Sequence, residues 1–141
     1  MIFPLEIQHT IHLFHSESSE RAEMITDLIV EEFKKLKIDE FERNLHVTRF
    51  KNHFFNDQGR NHIFAIIDGG SIECLPDKVV LRFSTKRGTL IVLIMTSFMG
   101  LVAGPEIGLG AFMWLYGMNI IIFYIRSSFL VNRLKDKIAI L

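Results

Sequence analysis

The chain has 141 residues, with 16 Lys+Arg against 16 Asp+Glu, 49% hydrophobic residues and a single Cys. Zero formal net charge argues against a general nucleic-acid binder, which needs a basic excess to displace counterions. One Cys excludes a disulfide framework and a cysteine-based zinc site, and the apolar, aromatic composition excludes disorder.

Along the chain the average splits into two regimes. Phe3–Phe14 alternates, with Ile7, His9, Ile11 and Leu13 on one face and Gln8, Thr10 and His12 on the other. That pattern predicts a half-buried strand. Ser16, Ser18 and Ser19 offer N-caps, and Glu17, Glu20 and Glu23 suit the positive end of a helix dipole. Ala22, Ile25, Leu28, Ile29, Phe33 and Leu36 then fall at helical spacing, ahead of Lys34, Lys35 and Lys37. An amphipathic helix is expected from about Ser19 to Lys37.

Asp39–Asn44 reads as a polar link and Leu45–Phe55 as a long aromatic strand. A turn is expected at Asn56–Gly59 and a strand at Asn61–Ile67. Asp68-Gly69-Gly70 carries a hairpin signal before a short strand at Ser71–Leu75. Pro76-Asp77 turns again, and Lys78–Thr85 alternates. The order β-α-β-β-β-β over 1–87 predicts an α+β fold, a small two-layer domain with one helix on an antiparallel sheet.

From Gly88 to Ile125 the only charged residue is Glu106. The runs 88–105 and 107–125 each reach roughly 27–28 Å as helix, close to a hydrocarbon core of about 30 Å. Gly104-Pro105-Glu106 supplies the break, because Pro cannot continue the ladder and Glu is costly in lipid. A two-helix transmembrane hairpin turning at 104–107 is expected. The alternatives are two buried helices of a soluble protein and a re-entrant hairpin. A domain this small cannot cover both helices on all sides.

Lys78, Arg82, Lys86 and Arg87 precede the first run. Arg126, Arg133, Lys135 and Lys137 follow the second, and the turn has no basic residue. The positive-inside rule puts both termini in the cytoplasm, and the expected location is a bacterial inner membrane. The N-terminus lacks the pattern of a signal peptide. Residues 126–141 repeat Leu130, Leu134, Ile138 and Leu141 at helical spacing. This basic tail reads as a short amphipathic helix, continuing the second span, lying on the inner surface or packing on the chain's own sheet.

Chemistry is sparse. His9, His12 and His15 cannot all converge from one strand, and His46, His53 and His62 are scattered. No metal or cofactor is expected, and no catalytic motif supports an enzyme. Cys74 reads as a small buried thiol. Gly100, Gly104, Gly108, Gly110 and Gly117 let helices approach closely. They form, with Trp114 and Asn119, a candidate face for packing within the hairpin or docking a partner's helix. Arg82, Lys86, Arg87, Arg126 and Arg133 are candidates for contact with anionic lipid headgroups. The leading expectation is an accessory subunit or adaptor of a membrane complex, its partners the bilayer and another subunit. A self-assembling channel or membrane-active effector is second, and a membrane-tethered sensor or enzyme third.

Overall fold

The computed structural model describes residues 6–13, 18–52 and 67–141. The elements run β1 (Glu6–His12), α1 (Ser19–Lys35), β2 (Glu40–Asn44), β3 (Val47–Lys51), β4 (Gly69–Cys74), β5 (Lys78–Ser84), α2 (Lys86–Ala103) and α3 (Pro105–Ile140). The fold class is α+β. Five antiparallel strands form one sheet in the order β1-β5-β4-β3-β2.

Helix α1 starts where Ser18 caps it, its side chain accepting from the Arg21 amide at 3.4 Å. It stops through a left-handed residue, Lys37 (φ 63°). The Ile38 amide returns to the Phe33 carbonyl at 3.1 Å, and Ile38 is fully buried. The helix therefore ends in a reverse turn closed by an apolar contact.

Two strand expectations need correction. Asp39–Asn44 is not a link: Glu40–Asn44 is edge strand β2, joined to β3 by the two-residue turn Leu45-His46. Its charges, which made it look like a linker, suit an edge that must not pair with another sheet. Gly69 and Gly70 are not a hairpin turn but the start of β4, opposite Lys51 and Phe50. A Cβ on Gly70 would lie 1.9 Å from the Arg82 carbonyl oxygen and 2.7 Å from the tip of the Phe50 ring. Glycine is there because backbone and an aromatic ring close over it. The β4–β5 hairpin turns at Pro76-Asp77, as expected. The expected Asn56–Gly59 turn and most of the Asn61–Ile67 strand fall outside the described residues, as do His15, His53 and His62.

The register puts Ile7, His9 and Ile11 of β1 on the same sheet face as Val79, Leu81 and Phe83 of β5 and Ile72 and Cys74 of β4. Two helical segments cover that face, not one. Helix α1 contributes Ile25, Ile29 and Phe33, and the C-terminal half of α3 contributes Phe123, Leu130, Leu134 and Ile138. Phenylalanines tie the layers: Phe33 to Phe50 (5.1 Å between centroids), Phe50 to Phe83 (6.0 Å) and Phe83 to Phe123 (5.5 Å). Each buried ring contributes roughly 1.5–3 kcal/mol.

The tail is not a separate short helix. Residues 126–140 are the last turns of α3, which is 36 residues long and about 54 Å from end to end. The break between α2 and α3 narrows to Gly104 alone, at φ +109°. Pro105 opens α3, where its missing N–H costs nothing, and Glu106 sits in the first turn, where the helix dipole favours a carboxylate.

Candidate functional site

The distinctive surface of the molecule is the α2–α3 hairpin. Both helices are long and apolar enough to cross a membrane, and only 6% of α2 is buried within the chain, against 22% of the most apolar stretch of α3. Leu90, Ile94, Phe98, Leu101, Leu109 and Trp114 are all more than half exposed.

The candidate glycines divide by role. Gly100 and Gly108 hold the hairpin together. A Cβ on Gly108 would fall 2.6 Å from the Gly100 Cα and 2.9 Å from the Thr96 carbonyl oxygen, so the backbones touch. Val92, Phe112 and Tyr116 cluster below that contact, with the last two rings stacked at 5.5 Å. Thr96 is buried beside them and returns its hydroxyl to the Val92 carbonyl at 2.8 Å. Gly104 makes the turn. Gly110 and Gly117 have nothing within 4 Å of an added Cβ. They share a helical face with Trp114, which is 69% exposed. At 100° per residue this face lies opposite Gly108, Phe112 and Tyr116. Asn119, half-buried, falls on the α2 side.

The candidate headgroup cations are differently placed. Arg87 donates from Nη1 to the Asn52 carbonyl at 2.8 Å, fastening the start of α2 to the end of β3. Arg82 lies on the open sheet face, 3.5 Å from Glu73 and 3.9 Å from Glu6. Lys86 is exposed and Arg126 half-buried. Arg133 approaches Glu32 at 3.9 Å.

Two polar junctions, invisible to sequence reasoning, lock α3 to the domain. The Glu32 carboxylate of α1, its side chain only 6% exposed, accepts from Lys137 at 2.5 Å and from Lys35 at 2.9 Å. Hydrogen bonds from Lys137 and then Lys35 hold its pKa down at about 2, against the opposing effect of burial. In the second, His9 of β1 meets Ser127 of α3, Nε2 to Oγ at 2.7 Å. Ser127 spends its own proton on the Tyr124 carbonyl at 3.0 Å, which makes His9 Nε2 the donor. The imidazole stacks on Tyr124 at 5.4 Å. Burial, and then the charge of Lys135, lower the pKa of His9.

Cys74 is buried, its thiol 3.1 Å from the Thr26 hydroxyl. Burial pushes its pKa up, the opposite of what a nucleophile needs. His9 and His12 point to opposite faces of β1. Among the described residues no three His, Cys, Asp or Glu side chains converge on a metal position.

Comparison with family models, curated proteins and solved structures returns no match.

Proposed function

We propose that the chain is a small integral membrane protein whose hairpin crosses a bilayer twice. Its sheet domain, held against the cytoplasmic surface, serves as the docking module of an accessory subunit or adaptor. One observation carries this reading: the hairpin is apolar around its circumference and uncovered by the rest of the chain. Lipid is the solvent that such a surface requires. The continuous α3 supports the same sidedness for both ends, since its C-terminal half packs on the domain that carries β1. The basic residues at the hairpin base and the acidic turn favour a cytoplasmic domain. The expected setting is a bacterial inner membrane. The adaptor role rests on the junction of domain and hairpin, where α3 packs on the sheet and Lys137 and Ser127 reach Glu32 and His9.

Affinity purification in mild detergent from the native cell tests the role. A defined partner subunit at stoichiometric yield is expected. A monodisperse monomer with nothing bound would contradict it.

The second reading, self-assembly, is favoured by Gly110, Trp114 and Gly117 on the hairpin's outer face. Gly117→Leu discriminates, because it leaves the Gly100–Gly108 contact intact. Loss of a homo-oligomer supports self-assembly, and loss of a hetero-complex supports the adaptor.

A further inference from the structure

The exposed apolar surface of α3 does not stop where the hairpin stops. Gly100 meets Gly108, and an antiparallel pair continued from that contact brings Lys86, the first residue of α2, level with about Ile122. Past that level α3 has no hairpin partner, and one side of it lies on the sheet. Phe123, Ser127, Leu130 and Val131 are buried there. The other side remains apolar and open. Leu115, Met118, Ile122, Ile125 and Phe129 recur at intervals of three and four residues, which places them on one helical stripe. Their exposures are 36%, 40%, 38%, 50% and 69%. The stripe ends at Asn132 and Arg133. Its last members, Ile125 and Phe129, belong to the part of α3 that covers the sheet. Phe129 stands about 10 Å beyond the start of α2 along the helix axis.

We infer that this shoulder of the sheet domain, carrying Ile125 and Phe129, is inserted in the bilayer interface. This rests on the reading of the hairpin as membrane-spanning. The occupant is lipid because the stripe continues the hairpin's own uncovered surface, and Arg126, four residues after Ile122 and three before Phe129, borders it at the depth where headgroups would meet a cation. The domain is then tilted onto the membrane through α3, and its charged outer sheet face, carrying Arg82, Glu73 and Glu6, is left to water and partners.

Trp114 is the only tryptophan, so Trp fluorescence reads one site at a time. Wild-type protein and the double variant Trp114→Phe/Phe129→Trp are reconstituted into phosphatidylcholine vesicles. The lipid is brominated either near the headgroup end or near the methyl end of its acyl chains. Circular dichroism first checks that the variant retains the wild-type secondary structure. The Trp at 129 is expected to emit to the blue of a water-exposed indole. It should lose most intensity to bromine near the headgroup and resist aqueous acrylamide. Trp114 should be quenched by lipid bromine. Quenching of the 129 probe by acrylamide but not by lipid would overturn the inference and leave the hairpin reading standing. Shielding from both quenchers would overturn it in favour of a second copy or another protein on the stripe. A wild-type Trp114 quenched by aqueous acrylamide and by neither lipid would overturn the hairpin reading itself.

Discussion

Glu32 and His9 fasten α3 to the rest of the domain, and both are favoured in their deprotonated forms, one charged and the other neutral. Glu32 must be ionised to hold Lys137 and Lys35. Its folded pKa of about 2 lies below the ordinary 4.5, so its contribution is present above about pH 4.5 and is lost as pH falls toward 2. With its partners partly open to water, that contribution is on the order of 2 kcal/mol. Glu32→Gln should lower the stability of the detergent-solubilised protein by that amount at neutral pH and by much less at low pH, read by thermal unfolding. Burial and the charge of Lys135 favour the neutral form of His9. Its pKa is lowered, so protonation favours the unfolded chain, and stability falls as pH drops below about 6.5. His9→Gln, which keeps a donor for Ser127, should flatten the loss of melting temperature between neutral pH and about pH 5.5. An unchanged pH profile would show that His9 does not set it.

At the scale of elements, hydrophobic periodicity made β1, α1, β5 and the two apolar helices legible. Each has an uninterrupted pattern on one face, such as Ile7, His9 and Ile11, or Ile25, Ile29 and Phe33. Edge strand β2 was not legible, because Glu40, Glu42 and Arg43 protect an edge with the same residues that mark a linker. The Gly69-Gly70 pair misled because the tertiary contact that needs it, Phe50 and the Arg82 carbonyl, is non-local. The hairpin glycines were legible as a group and not individually: spacing alone cannot tell Gly108, pressed on Gly100, from Gly117, which faces outward. Their consequences differ. Gly108→Ala should destabilise the hairpin by roughly 1–3 kcal/mol, since backbone on the other side cannot yield. Gly117→Ala should leave hairpin stability unchanged. Unfolding of each variant in mixed detergent and denaturant measures both, and equal losses would contradict the assigned packing.

At the scale of the molecule, α3 is the unifying part. One helix of 36 residues forms half of the apolar hairpin, then covers the sheet beside α1 and delivers Lys137 to Glu32. Domain and hairpin are therefore joined by one continuous helix and by its packing and polar contacts with β1 and α1. The tail's amphipathic spacing, Leu130, Leu134 and Ile138, was readable in sequence. Its destination was not, because the same stripe fits a sheet and a bilayer surface equally well. The central claim is the double crossing with both ends on one side. It is tested by a single cysteine at the hairpin turn, Glu106→Cys in a Cys74→Ala background, probed in intact cells with a membrane-impermeant maleimide and compared with Asp77→Cys. The account predicts labelling at 106 from outside the cell and at 77 only after the membrane is opened. Protection of 106 in intact cells, with labelling only after lysis, would contradict it.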